Sequence, residues 1–240
     1  MNLFDLHCDT VYECATKHKD LKENDLHLDL NRGIAATDKW VQTFAFWIAD
    51  DLTEEEQYCS YQRQLSCFRT FSEQYSELAS YHGEAEHSKC RYLLSVEGGS
   101  AIGGDLDRIR AFREDGIRML TLTWNGENRI GGGAQSTQGL TSFGREVIRE
   151  LEAQQIVVDV SHLNRKTFFD VCRTAEKPFI ATHSNAFRIC SHPRNLDDDQ
   201  IKELAACGGL IGLNLFCDFL SSEDDCKIED LIRHIEYFLS

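Results

Sequence analysis

The sequence predicts an α/β fold on a parallel, barrel-type sheet, and three observations carry that prediction. Short β-rich runs alternate with helical patterns along the 240 residues, which favours βα units. Several runs are apolar nearly throughout, such as Ile156-Val157-Val158 and Leu210-Ile211-Gly212-Leu213, as expected of strands covered on both faces. Five residues of metal-ligating type, His7, Asp9, Glu97, His162 and His183, stand at or just past the ends of such runs. Parallel α/β barrels gather side chains from the carboxyl ends of several strands into one site.

Seven strands are expected: Asn2 to His7, Val41 to Ile48, Arg91 to Glu97, Arg118 to Trp124, Ile156 to His162, Pro178 to His183, and Leu210 to Phe216. After the second of these, Thr53 and Glu56 have the spacing of a capping box. Tyr58, Tyr61, Leu65, Phe68, Phe71, Tyr75 and Leu78 then recur at steps of three and four. Aromatic residues at helical spacing usually face a sheet, so this stripe is read as core packing. Shorter helices are expected near Asp105 to Glu114, Phe143 to Gln154, Lys166 to Ala175, Asp197 to Ala206, and Ile228 to Leu239.

Composition bounds the rest. With 42% hydrophobic and 27% charged residues and no Pro- or Ser-rich divider, residues 1–240 are expected to form a single domain around one core. A formal net charge of -15 argues against nucleic acid and anionic lipid as partners, since both require a surplus of Lys and Arg. The ten cysteines are scattered without a C-x-x-C pair and are read as reduced thiols. The N-terminus lacks a basic region followed by an apolar stretch, and no run of about 18 apolar residues occurs. A cytoplasmic protein with no membrane partner is the expectation.

The metal-type residues carry the chemistry. His7 and Asp9 are two apart in Phe4-Asp5-Leu6-His7-Cys8-Asp9, so on an extended strand both side chains project from one face. Imidazole with carboxylate suits zinc or a similar divalent ion. His27-Leu28-Asp29 has the same spacing, so the motif alone is not decisive. Glu97 ends Leu93-Leu94-Ser95-Val96 and runs into Gly98-Gly99, where glycine allows close backbone approach. A carboxylate there can bridge two cations or simply meet solvent. His162 and His183 close two consecutive strand candidates, and neighbouring barrel strands place their carboxyl ends side by side. Each could also be an ordinary core histidine; the joint pattern favours a metal site.

The chain resembles the membrane dipeptidase (renal dipeptidase) family of zinc peptidases. The matching segments are Asp5-Leu6-His7-Cys8-Asp9-Thr10, Ser95-Val96-Glu97-Gly98-Gly99, Leu120-Thr121-Leu122-Thr123, Asp159-Val160-Ser161-His162, Thr182-His183-Ser184-Asn185-Ala186 and His192-Pro193-Arg194-Asn195-Leu196, in family order. The resemblance implies a (β/α)8 TIM-like barrel holding two zinc ions per chain. His7 and Asp9 would hold one, His162 and His183 the other, and Glu97 would bridge both. A metal-bridging hydroxide would then be the nucleophile on a dipeptide carbonyl. Arg194 matches the position that binds the substrate's terminal carboxylate, a task suited to a planar guanidinium. Trp124, Asn125 and Asn185 are further pocket candidates, and the family's members are often homodimers.

Two departures qualify the resemblance. Where many members have a substrate-binding His after the Leu-Thr-Leu-Thr strand, this chain has Trp124, whose indole N–H donates one hydrogen bond but carries no charge. The family's later Gly-Ser-Asp-Phe-type motif, with its catalytic Asp, has no counterpart before Ser240. About seven of eight strands are therefore expected, with the C-terminal part missing, and seven strands would leave unpaired edges. Two alternatives follow. One is a truncated, catalytically impaired barrel that binds metal or dipeptide. The other is a barrel metal hydrolase acting on cyclic amides, against which His7-Cys8-Asp9 argues because those groups commonly use His-x-His.

Overall fold

The computed structural model describes residues 1–81, 88–223 and 225–240 and comprises two units, Met1–Leu120 and Thr121–Ser240. In the N-terminal unit the strands are β1 (Asn2–Asp5), β2 (Lys39–Trp47), β3 (Ala79–Tyr81), β4 (Cys90–Glu97) and β5 (Ile117–Thr121, its last residue in the second unit). Their order is β1-β2-β4-β5, with β3 also pairing with β4. The β1–β2, β2–β4 and β3–β4 pairings are parallel, with Asn2 opposite Lys39 and Trp47 opposite Glu97. The expected α/β class with a parallel sheet is therefore present.

Burial explains the strand composition. Phe44, Ala45 and Phe46 are consecutive in β2 and all buried, so both faces of the strand are covered. One cover is α3 (Glu54–Gln74), whose Thr53–Glu56 capping box forms as the sequence predicts. Three glutamates in its first turn complement the positive end of the helix dipole. The aromatic stripe packs on the sheet: Phe68 lies 5.3 Å from Phe44 and Tyr61 6.0 Å from Phe46, ring centre to ring centre. Helices α1 (Thr10–Lys17) and α2 (Leu30–Ala36) and strand β3 were not foreseen. They are eight, seven and three residues long, too short for a clear periodic signal. Helix α4 (Asp107–Glu114) lies where expected.

The C-terminal unit contains α5 (Ser142–Ala153), β6 (Val157–Asp159), α6 (Arg165–Cys172), α7 (Asp198–Ala206), α8 (Cys217–Leu220) and α9 (Ile228–Leu239). Asn164 and Asp197 cap α6 and α7 with side-chain oxygens. The expected strands at 178–183 and 210–216 are reduced to isolated parallel bridges, Asp159 to Ile180 and Ala181 to Ile211. Their main-chain bonds include Val160 N–H to Ile180 O at 2.8 Å and Gly212 N–H to Ala181 O at 2.8 Å. Pro178 has no N–H to give, and Gly208, Gly209 and Gly212 contribute no packing side chain. Leu210, Leu215 and Phe216 are exposed, so the last segment lacks the burial that would extend its ladder.

One cysteine expectation is corrected. Cys217 and Cys226 form a disulfide, while the other eight cysteines are free. The two residues are nine apart in sequence, the first in the short α8, and lie at a Cα separation of 5.4 Å, a local geometry that no spacing motif announces. Among the described residues, no helix is long and apolar enough to cross a membrane.

Candidate metal centre

In the N-terminal unit, β1 ends at Asp5, so His7 and Asp9 lie in the turn between β1 and α1 rather than on an extended strand. Their side chains nevertheless meet. His7 Nε2 is 3.2 Å from Asp9 Oδ1 and 3.5 Å from Glu97 Oε2. The turn is held by Ala45 N–H donating to Cys8 O, which ties it to the neighbouring strand. Asp9 sits at the N-cap of α1 without capping it, leaving its carboxylate to face His7. Asp29 of the second His-x-Asp motif behaves differently. It caps α2 by accepting from Arg32 N–H and pairs with the Arg32 guanidinium, an ordinary structural role.

Glu97 is buried at the end of β4. It is followed by Gly98 at φ 103°, where a Cβ would lie 3.0 Å from Ile48 O. This left-handed glycine lets the chain turn sharply and approach the adjacent strand. Burial opposes charge on His7, but the carboxylates of Asp9 and Glu97 outweigh it and hold the imidazole well above the usual histidine range. The same negative potential would favour a cation in place of that proton.

In the C-terminal unit, His162 Nε2 and His183 Nε2 are 2.8 Å apart. His162 has φ 69°, a left-handed conformation that costs a non-glycine residue about 1–3 kcal/mol and tends to occur at functional sites. Its Nδ1 lies 3.0 Å from Asn125 Oδ1. His183 Nδ1 lies 2.8 Å from Thr182 Oγ1. Both histidines are thus steered from behind by oxygens while their Nε2 atoms converge, a common arrangement of metal-ligating imidazoles.

Asp159 organises this region, and the sequence reading assigned it no role. Fully buried at the end of β6, it accepts from Thr121 Oγ1 and Thr182 Oγ1 at 2.6 Å, and from the N–H groups of Ser161 and Thr182 at 3.0 Å. Burial alone would raise its pKa, but His183 and these donors together hold it below the usual carboxylate range. A carboxylate inside the apolar run Val157-Val158-Asp159-Val160 was the available signal, since a buried Asp must find partners.

The remaining candidates separate by environment. Trp124 lies beside His162 with ring centres 6.4 Å apart. Asn185 donates to Asn214 O and Phe219 O and accepts from Asn214 N–H, so its amide braces the following loop. Arg194 is buried rather than on the surface, with its guanidinium 5.5 Å from the Phe219 ring centre.

Comparisons with known proteins place the chain in a family. The family model of the membrane dipeptidases, peptidase family M19, matches residues 1–240. A Klebsiella pneumoniae protein described as the uncharacterized protein in the pqqA 5′ region is 34% identical over 174 residues, 65% of this chain and 64% of its own length. The chain thus spans less than two thirds of the curated relatives it matches. Among solved structures, a Rhodobacter sphaeroides metallopeptidase liganded with a phosphinate mimic of L-Ala-D-Ala superposes with a TM-score of 0.90 at 24% identity, covering 100% of this chain and 82% of that one. The M19 metallopeptidase dipeptidase AC gives 0.90 at 25% identity, covering 100% and 80%. With the family pattern running from the first residue to the last, the chain belongs to the membrane dipeptidase family, peptidase family M19.

Proposed function

We propose that this chain forms the zinc centre of a dipeptidase that hydrolyses the peptide bond of dipeptides. In this reading, which follows the family resemblance, His7 and Asp9 would hold one zinc, His162 and His183 the other, and Glu97 would serve both. The observation that carries the reading is the His162–His183 pair, with Nε2 atoms 2.8 Å apart and each Nδ1 at an oxygen. The donor set fits the ion: neutral imidazole and carboxylate are the ligands a borderline-soft divalent cation takes when no thiolate is at hand. Membership of the family adds to this support.

Zinc, when bound, polarises the scissile carbonyl and acidifies water enough to supply a nucleophile near neutral pH. The chain's own residues position the reactants. Asn125 fixes the ring of His162 through Nδ1. Arg194, buried against Phe219, receives the substrate's terminal carboxylate in this reading, where its planar fork can engage both oxygens. Because the Rhodobacter sphaeroides relative binds a mimic of L-Ala-D-Ala, that dipeptide is the first substrate to test.

The test is zinc content by elemental analysis together with hydrolysis of Gly- and Ala-containing dipeptides, including L-Ala-D-Ala. We expect two zinc per chain and turnover in the wild type, and loss of both in Glu97→Ala and His183→Ala. Full hydrolysis in both purified variants refutes the assignment. The proximity of Trp124 to His162, where the family pattern has a substrate-binding His, favours one second reading, a metal- or dipeptide-binding protein with impaired catalysis. Tight zinc binding without turnover across the panel selects it.

A further inference from the structure

We propose that Asp159 and Thr182 form a tautomer lock: through the Thr182 hydroxyl, Asp159 holds the proton of His183 on Nδ1 and commits Nε2 to the metal. The inference deepens the metal-centre reading above and rests on it for the identity of the ligand that Nε2 meets.

Hydrogen-bond direction fixes where the proton sits. An ionised carboxylate only accepts. Asp159 Oδ2, 2.6 Å from Thr182 Oγ1, therefore takes the single hydroxyl proton of that threonine. The hydroxyl oxygen then has only lone pairs to offer His183 Nδ1 at 2.8 Å, so Nδ1 must be the donor. A neutral imidazole carries one N–H, which leaves Nε2 with the lone pair a metal needs. Asp159 acts on the ring through the Thr182 hydroxyl and is a positioning residue.

The same carboxylate prepares the second histidine. Its Oδ1 accepts from Ser161 N–H and Thr182 N–H, both at 3.0 Å, so one oxygen clamps the backbone immediately before His162 and His183. Ser161 Oγ in turn accepts from His183 N–H at 3.2 Å. Thr121 Oγ1 supplies a fourth donor, which fills the roughly four acceptor positions of a carboxylate. The group is held from all sides in one protonation state and one orientation, as a lock requires.

The decisive variants are Thr182→Val, which removes the hydroxyl at nearly constant shape, and Thr182→Ser, which restores it. On the full chain, 15N NMR of the zinc-free protein reads the His183 tautomer, and chelator competition reads zinc affinity. Wild type and Thr182→Ser should show Nδ1–H with pyridine-type Nε2. Thr182→Val should lose that preference and bind zinc about 10–100-fold more weakly. Asp159→Asn should move the tautomer toward Nε2–H, because an amide N–H donated to Thr182 frees the hydroxyl to donate to Nδ1. An unchanged tautomer in folded Thr182→Val overturns the inference whatever the zinc content. A switched tautomer in a protein whose wild type binds no zinc supports the lock while overturning the metal reading.

Discussion

Lowering the pH through the histidine range should destabilise the C-terminal unit by way of His234, a residue far in sequence from the metal-type ligands. His234 is completely buried on α9. Its Nδ1 accepts from Ala186 N–H at 3.1 Å and its Nε2–H donates to Leu220 O at 3.1 Å. Burial, chiefly, pushes its pKa below the ordinary 6.5. Protonating Nδ1 would point a new N–H at the Ala186 N–H, losing one hydrogen bond and leaving two donors face to face. A lost bond is worth about 0.5–1.5 kcal/mol and an unsatisfied buried donor about 1–3 kcal/mol. The unfolded chain protonates at 6.5 and the folded chain only below it, so the unfolded state binds more protons as pH falls. Stability is therefore full above about pH 6.5 and declines below it, by at most about 1.4 kcal/mol per pH unit, until the folded pKa is reached. Urea unfolding of wild type and His234→Gln between pH 8 and pH 5 measures this. We expect the variant to be less stable at pH 8 by about 1–3 kcal/mol and to show a shallower pH dependence, so that the curves converge in acid. Parallel curves would refute the reasoning, because the remaining histidines would then account for the whole pH effect.

Other consequences follow from packing, backbone geometry and charge. Phe68→Ala empties a site ringed by Phe44, Phe46 and Tyr92 and should cost about 3–5 kcal/mol in urea unfolding; a loss under 1 kcal/mol would mean the α3 stripe is not core. Gly98→Ala forces a Cβ toward Ile48 O at φ 103°, so a loss of about 1–3 kcal/mol is expected, with weakened zinc binding because Glu97 is the preceding residue. If Arg194 receives the substrate carboxylate, Arg194→Lys should raise KM for L-Ala-D-Ala about tenfold or more, the worth of one charged hydrogen bond, with kcat nearly unchanged. An unaltered KM removes it from the substrate site.

The sequence was most legible where local rules and burial agree. The Thr53–Glu56 box and the aromatic stripe announce α3 because a cap and a one-sided apolar face are both written in adjacent residues. β2 and β4 are legible for a related reason: strands covered on two faces must be apolar in succession. Strands 178–183 and 210–216 read the same way but form only single bridges, since ladder length depends on neighbours and on the missing donor of Pro178, not on apolarity. The Cys217–Cys226 bond depends on how a short helix turns. His27-x-Asp29 and His7-x-Asp9 are indistinguishable as strings; Asp29 caps a helix and bonds Arg32, whereas Asp9 meets His7 beside Glu97.

By itself the sequence determined the α/β class, the long helix, the order of the family motifs and the residue types able to hold a metal, because each is encoded in local periodicity or in residue chemistry. Tertiary structure alone decided which side-chain oxygens serve the histidines. Asp159 lies 23 residues from Thr182 and Asn125 37 from His162. Hydrogen bonds across such separations form only when folding brings strand ends and loops together, and their direction, which fixes the proton on each imidazole, exists only in three dimensions.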